Sequence, residues 1–284
     1  MPYLLAVSLL WAFSFGLIKG RLAGLDSAFI SAARLGLALL VFLPFLRPKG
    51  LALRTGAVLV GLGALQFGLM YLAYNESFRH LQAHEVALFT LTTPVFVTLL
   101  ADALDRTFRL RALAAACLAV GGTALIVFSG QALRPTLTGC ALVQLSNLAF
   151  AFGQVGYQRL RAKQPTLRDR DHFAWLYLGG LLTALIAFFA REVSVTLTTP
   201  QLWTLLYLGG LASGLGFFFW NVGATRVSAG TLAVMNNAKI PLAVGCSLLF
   251  FGEAADLPRL LADLPRLLGS LGLLGGAVWL AEKR

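Results

Sequence analysis

Ten long apolar runs follow one another along this chain, with only short polar segments between them. About 20 apolar residues are enough to cross a bilayer as a helix, and a span without internal backbone hydrogen bonds would be too costly in lipid. The sequence therefore predicts an all-α polytopic membrane protein with ten transmembrane helices and no room for a soluble domain. The runs lie at about 2–18, 28–46, 55–74, 83–101, 110–129, 136–158, 172–190, 201–220, 229–251 and 264–281.

Composition supports this fold class and excludes others. The chain is 58% hydrophobic and only 12% charged, whereas a soluble domain is nearer a quarter charged. Its net charge of +11 would suit nucleic acid, but the basic residues lie in short loops between the apolar runs. The three cysteines are dispersed and have no metal-ligand spacing. We therefore expect lipid around the protein, no nucleic acid, no cofactor and no metal. The oligomeric state stays open, and a monomer is compatible with the sequence.

The loop charges predict the orientation of the spans. No basic segment precedes residues 2–18, so they are interpreted as a first span rather than a cleaved leader. With the N-terminus inside, the inner loops carry 14 basic residues and the outer loops carry 7, out of 23 in the chain. Basic residues are retained on the cytoplasmic side. Both termini and the 159–171 loop are therefore predicted to be cytoplasmic.

The two halves of the chain, 1–130 and 131–284, have features in the same order, which indicates an internal repeat. Because five spans per half is an odd number, the second half enters the membrane from the opposite side, and the repeat is inverted. One membrane domain with a central cavity that opens alternately to the two sides is expected. The matching pairs are Phe13-Ser14-Phe15-Gly16 with Phe150-Ala151-Phe152-Gly153, Asp26 with Asp171, and Gly121-Gly122 with Gly275-Gly276.

A proline interrupts one apolar run in each half. Pro94 lies in the fourth run, and Pro241 lies at the aligned position of the ninth. Proline removes a backbone donor from a helix, and irregular backbone at membrane depth is tolerated where it is buried in protein or lines a cavity. Both prolines are predicted to break their helices beside a substrate site and to act in gating.

Lys239 lies in the middle of the ninth run, about 15 Å from either end of the helix at 1.5 Å per residue. A lysine at that depth cannot easily reach the interface. It either bonds carbonyls freed by Pro241 or binds a substrate carboxylate or phosphate. The acidic residues lie outside the span centres, so an anionic or zwitterionic substrate is favoured over a cation. Arg34 lies in the outer third of the second run, from which it either reaches the interface or contacts substrate.

Further polar and aromatic residues share helix faces with these positions. The predicted wall of the substrate cavity also contains an amide stripe on the sixth run and one amide on the ninth. Interhelical hydrogen bonding is the alternative role for these amides, and a lipid-facing position is the alternative for Trp11. The predicted substrate-binding residues, in addition to Lys239, are Asn236, Trp11, Phe15, Tyr74, Gln144, Asn147 and Gln154.

The chain carries no catalytic constellation, which argues against an enzyme. It resembles the drug/metabolite transporter superfamily over its whole length, and within it the ten-helix EamA-type exporters. The residues that carry the resemblance are Trp11-Ala12-Phe13, the series Asn221, Ala229, Pro241 and Gly252-Glu253, and the weaker series Asn75, Ala83 and Pro94. In the first half, Leu100-Ala101-Asp102 stands where the family has a Gly-Glu pair.

The resemblance implies two inverted five-helix repeats in a bacterial inner membrane and export of small metabolites. The details are similar to those of aromatic amino acid exporters, so the expected substrates are aromatic or other neutral amino acids. A broad-specificity carboxylate or drug exporter is the alternative within transport. A non-transport membrane enzyme or scaffold is the alternative outside it.

Overall fold

A computed structural model describes residues 1–22, 24–48, 50–127, 134–191, 195–250 and 257–282. Side chains are described at these positions except 13–16, 18–20, 83, 84, 126, 127, 243–250 and 257–264. The described residues form ten helical spans, close to the ten predicted ones. The spans are α1 Pro2–Arg21, α2 Ser27–Phe42, α3 Leu53–Ser77, α4a Ala83–Thr90 with α4b Thr93–Asp105, α5 Leu110–Val127, α6 Leu137–Lys163, α7 Ala174–Phe189, α8 Thr199–Ala224, α9 Ala229–Phe250 and α10 Leu257–Glu282.

Five of the described helical stretches are long and apolar enough to cross a membrane by length and composition, and shorter apolar stretches occur in α1 and α5. The predicted all-α membrane fold class is confirmed. Many large apolar side chains, such as Ile186 and Phe189 in α7, are exposed on the outside of the bundle. In a bilayer this surface contacts lipid, so its exposure requires no protein partner.

Helix starts are defined by side chains that satisfy the first backbone N–H groups. The Asp26 carboxylate accepts from the N–H groups of Ala28 and Phe29, both at 2.9 Å, and so begins α2. Gln82 and Glu85 form a capping box at the start of α4a. Such caps replace the intrahelical partners that the first turn of a helix lacks.

Contacts between helices occur in matching pairs, as an internal repeat predicts. α1 packs on α9, and its counterpart α6 packs on α4. α3 packs on α7 while α8 packs on α2, and α3 contacts α6 while α8 contacts α1. Three further large contacts, α2 with α7, α4 with α9 and α5 with α10, join counterpart helices to each other. The two halves are therefore interleaved, since each helix of one half rests mainly on helices of the other.

The third helix of each half contains a π-helical segment. It covers Ala64–Leu69 in α3 and Tyr207–Leu215 in α8. A π segment accommodates an extra residue in the turn and leaves carbonyls without their usual partners. In α8 the Trp11 indole N–H donates to the Ala212 carbonyl at 2.9 Å. The Tyr177 hydroxyl lies within hydrogen-bond distance of the next two carbonyls. The freed backbone groups of α8 are thus satisfied by α1 and α7.

The two prolines behave differently. α4 is interrupted at Leu91 and Thr92, immediately before Pro94, which stands at the start of α4b. α9 instead continues through Pro241 as one helix from Ala229 to Phe250, so the predicted break at Pro241 is wrong. Proline lacks only its own N–H, and packing against the neighbouring helices keeps the rest of a buried helix in place.

Candidate substrate cavity

A cavity lies between α1, α2, α3, α4, α6, α8 and α9, near the middle of the bundle. Two basic residues, Arg34 and Lys239, are in its wall. The other lining side chains are aromatic or neutral polar apart from one methionine, and no acidic side chain among the described residues lines the cavity. The lining residues are Trp11, Arg34, Met70, Tyr71, Tyr74, Thr90, Thr93, Ser146, Asn147, Phe150, Phe217 and Lys239.

Lys239 faces this cavity from the middle of α9. Its ammonium nitrogen lies 5.7 Å from the centre of the Trp11 ring, within cation–π range. Among the described residues, none accepts a hydrogen bond from it or forms an ion pair with it. The alternative in which Lys239 bonds carbonyls freed by Pro241 is therefore not what the described residues form. A half-buried ammonium in a cavity wall is available to an anion.

Arg34 is held in the wall by a polar cluster that joins α2, α3 and α8. Only 4% of the residue is exposed, so it does not extend to the interface as one alternative proposed. Its Nε lies 3.2 Å from the Ser213 hydroxyl, and its Nη2 lies 2.5 Å from the Tyr71 hydroxyl. The guanidinium also stacks over the Tyr71 ring at 4.2 Å. The π segment of α8 supplies Ser213 to this cluster.

Aromatic rings form the apolar part of the wall. Trp11 packs edge-on against Phe217 at 5.3 Å and against Phe150 at 6.2 Å between ring centres. The only polar atom of its side chain is engaged by the Ala212 carbonyl, so it offers the cavity an apolar ring. Tyr74 lines the cavity from α3. Such rings suit the flat or apolar body of a small molecule.

Two of the predicted wall residues, Gln144 and Asn147, form hydrogen bonds with the backbone at the break in α4. The Asn147 side chain donates to the Phe89 carbonyl at 2.9 Å, and Gln144 donates to the same oxygen at 3.3 Å. Gln144 also accepts from the Thr92 hydroxyl at 2.7 Å and does not line the cavity. Because the break in α4 leaves the Phe89 carbonyl without its usual helical partner, the two amides satisfy a backbone acceptor at membrane depth. Asn147 has two roles, because it bonds the Phe89 carbonyl and also lines the cavity.

The predicted pair Gln154 and Asn236 lies behind the wall, not in it. Their amides face each other at 3.2 and 3.3 Å, and the Trp220 indole N–H donates to Gln154 at 3.0 Å. Both residues are almost fully buried and absent from the cavity lining. The alternative of interhelical hydrogen bonding therefore describes them, because each amide has a partner at the right distance.

Phe15 and the prolines complete the set of predicted site residues. The side chain of Phe15 lies outside the described residues, and so does the pair Gly252-Glu253. Pro94 and Pro241 are buried near the cavity but do not line it. The sequence reasoning missed Tyr71, Phe150 and Phe217. Phe150 belongs to the repeated Phe-x-Phe-Gly pattern, which was the available signal for it.

Ion pairs join helices at the two ends of the bundle. At the start of α2, Arg191 lies 3.1 Å from Asp26 and 3.3 Å from Glu76. Burial raises the pKa of Asp26, but hydrogen bonds from the Phe29 N–H and from Arg191 outweigh it and hold that pKa below its ordinary value. At the other end, Arg159 of α6 bonds Asp105 at 2.6 Å and the Ala101 carbonyl at 2.8 Å.

A bundle of ten spans around a cavity lined by aromatic, polar and basic side chains is the architecture of a multi-pass membrane transporter. The chain belongs to the EamA-like transporter family, whose model matches residues 1–128 and 137–275. This membership confirms the resemblance to the drug/metabolite transporter superfamily.

Relatives with known names cover almost the whole chain. A probable biotin transporter of Pseudomonas aeruginosa is 46% identical over 99% of this chain and 96% of its own length. A biotin transporter of Escherichia coli K12 is 41% identical over 92% and 88%. A probable terminal-alkyne amino-acid exporter of Streptantibioticus cattleyicolor is 26% identical over 95% and 87%. A solved crystal structure with 16% identity matches with a TM-score of 0.77 over 98% of this chain and 96% of its own, which shows the same fold.

Proposed function

We propose that this protein carries biotin across the bacterial inner membrane and that Lys239 binds the biotin carboxylate. The observation that carries the proposal is a lysine that faces an aromatic cavity, with no anionic partner and no acid in the cavity wall among the described residues. Biotin has one carboxylate on an apolar chain, which fits such a wall. The names of the relatives that are 46% and 41% identical support this substrate.

A carboxylate beside Lys239 forms a charge-assisted hydrogen bond, which is stronger than a neutral one. It also neutralises an ammonium that the cavity desolvates in part. The apolar chain of the substrate then lies against Trp11 and Phe150. Transport follows if the two interleaved halves, which we infer to be inverted repeats of residues 1–130 and 131–284, tilt so that the cavity opens to one side and then the other.

Export of an aromatic or other neutral amino acid is the second candidate. It is supported by the more distant relative named as an amino-acid exporter and by the ring-lined cavity. An amino acid brings an ammonium group as well as a carboxylate. That ammonium would need an acceptor in a wall that already holds two cations, so the cavity favours a simple carboxylate.

Uptake into proteoliposomes separates the two candidates. We expect labelled biotin to be transported and unlabelled biotin to compete, while aromatic amino acids compete weakly. Lys239→Met should lower biotin transport at least roughly tenfold, as for a lost hydrogen bond to a charged group, while Lys163→Met at the exposed end of α6 serves as the matched control. Transport of amino acids but not biotin would overturn the biotin proposal.

The orientation in the membrane is part of the proposal. The 14-to-7 distribution of basic residues supports cytoplasmic termini and a cytoplasmic 159–171 loop. Single cysteines introduced in that loop, in a variant that lacks the native cysteines, should resist an impermeant thiol reagent in intact cells and react after permeabilisation. Rapid labelling in intact cells would reverse the orientation.

A further inference from the structure

Arg34 is a second cation in the cavity wall. The hydrogen bonds within its polar cluster leave some of its N–H donors without an acceptor among the described residues. The hydrogens of the cluster can be assigned one by one. Ser213 donates its hydroxyl hydrogen to the Leu208 carbonyl at 2.7 Å. The Tyr71 hydroxyl, 2.8 Å from Ser213, must then be the donor in that contact. Ser213 accepts from Tyr71 and from Arg34 Nε, and Tyr71 accepts from Arg34 Nη2.

This assignment uses two of the five N–H donors of the guanidinium. The other three, on Nη1 and Nη2, have no acceptor among the described residues. In the part of the chain that the structure describes, no acidic side chain lines the cavity to balance the charge. An arginine keeps its proton in proteins, and a buried charge without a partner is costly. The unused donors therefore indicate that water or a ligand atom completes the site.

The chemistry of the missing partner is restricted. A guanidinium presents only donors, in a planar fork that matches an oxygen with two lone pairs. Ser213 holds Nε, and the stacked Tyr71 ring holds the plane, so the direction of the fork is fixed. If Lys239 takes the single carboxylate of the substrate, the acceptor left for Arg34 is a neutral carbonyl oxygen.

We propose that Arg34 binds the ureido carbonyl oxygen of biotin, so that the cavity recognises its substrate at both ends. This inference rests on the proposed function. It assigns the recognition of the ring system to Arg34, with Tyr71 and Ser213 as positioning residues, and leaves the carboxylate to Lys239. A carboxylic acid without the urea then fills only half of the polar contacts.

Three ligands test this division of roles. They are biotin, its methyl ester, which keeps the urea but loses the negative charge, and a straight-chain fatty acid of similar length, which keeps only the carboxylate. Affinities of the purified, detergent-solubilised protein are measured for the unmodified chain, Arg34→Met, Lys239→Met and Arg54→Met. Arg54 is exposed at the start of α3, so the last variant is the matched control.

We expect Arg34→Met to weaken biotin and the methyl ester by roughly tenfold or more, as for a lost bond to a charged donor, and to leave the fatty acid unchanged. Lys239→Met should weaken biotin and the fatty acid and leave the ester unchanged. Arg34→Lys, which keeps the charge without the fork, should recover only part of the loss. It replaces Arg34→Met if that variant does not elute as a single folded species.

Failure of the inference is distinct from failure of the proposed function. If the unmodified protein binds biotin but Arg34 variants weaken the fatty acid as much as biotin, Arg34 is a structural residue and the inference is wrong. Tighter binding of a dicarboxylate of similar length than of biotin would place a second anion at Arg34 and also overturn it. If the unmodified protein does not bind biotin, both proposals fall.

Discussion

The third helix of each half packs on the second helix of the other half, α3 on α7 and α8 on α2, and the two contacts differ at their glycines. In α3, a Cβ added at Gly63 would lie 1.8 Å from the Leu176 carbonyl oxygen, and one at Gly179 would lie 1.9 Å from that of Val60. In α8, a Cβ at Gly209 would lie 2.7 Å from the Leu37 side chain, and one at Gly210 has no atom nearer than 3.9 Å. At Gly63 and Gly179 the α3–α7 contact is therefore backbone against backbone, whereas at Gly209 the nearest atoms of α2 belong to a side chain.

The difference shows that corresponding helix contacts in the two halves serve different purposes. Around Gly63 and Gly179 the space between α3 and α7 is filled by the main chains. At the contact between α8 and α2, the π turn of α8 brings Ser213 within hydrogen-bond distance of Arg34. The first contact stabilises the bundle, and the second positions a charged group beside the cavity.

The largest expected effect of a substitution is at the tight contact. Gly179→Ala places a methyl group against a backbone carbonyl that cannot rotate away, so we expect a loss of about 3 kcal/mol or more of stability, or no folded protein. Gly210→Ala lies in α8, where an added Cβ has no atom nearer than 3.9 Å. It should change stability by less than about 1 kcal/mol. The stability of both variants is measured by heating the protein in detergent and determining the fraction that remains monodisperse. Equal losses would mean that the two contacts are alike.

A second comparison concerns the broken α4 and the continuous α9. The Asn237 amide of α9 donates to the Leu91 carbonyl, freed by the break in α4, at 3.0 Å, and to Thr123 at 3.1 Å. Asn237→Leu should cost about 1–3 kcal/mol because it leaves a buried carbonyl without a donor. Thr123→Val removes only the second contact and should cost less. If the two variants have the same melting temperature, the break in α4 does not depend on Asn237.

Substitution of the two prolines should also have unequal effects, with the larger loss of transport in the broken α4. Pro94→Ala restores a backbone N–H at the start of α4b, favours a continuous α4 and draws the Leu91 carbonyl away from Asn237. We expect it to lower transport severalfold while stability changes by about 1 kcal/mol or less. Pro241→Ala adds a donor inside a helix that is already continuous, and its effect on transport should be smaller. Initial uptake rates in proteoliposomes decide between them, and a larger loss for Pro241→Ala would contradict the comparison.

The smallest effect is expected at the start of α2. The pKa of Asp26 is held below its ordinary value of 3.8, so its contribution to stability is complete above that value and is lost as the pH falls through the lower, folded-state pKa. Arg191 is partly exposed and screened, so Asp26→Asn should cost less than about 1 kcal/mol. The difference from the unmodified protein, constant from pH 8 to 5, should shrink below about pH 4.

Several features follow from the sequence because they depend on local composition. Ten spans were predictable from apolar length, since a bilayer requires about 20 apolar residues per helix. The role of Lys239 as a cavity residue was predictable because a lysine at mid-span has few other environments. The break in α4 was signalled by Pro94, and the matching order of motifs indicated paired halves.

Other features were decided only by tertiary structure, because they depend on which helices meet. The amides Gln144, Gln154 and Asn236 have the same chemistry whether they line a cavity or bond to each other, and only the packing of α6 against α4 and α9 decides. The sequence left the direction of the Arg34 side chain open, because the same position in α2 allows it to reach the interface or to face the cavity. Ser213 acquires its role through the π turn of α8, which no residue pattern marked. Local sequence fixes what a membrane helix can bury, while the neighbouring helices determine which polar groups remain free for a substrate.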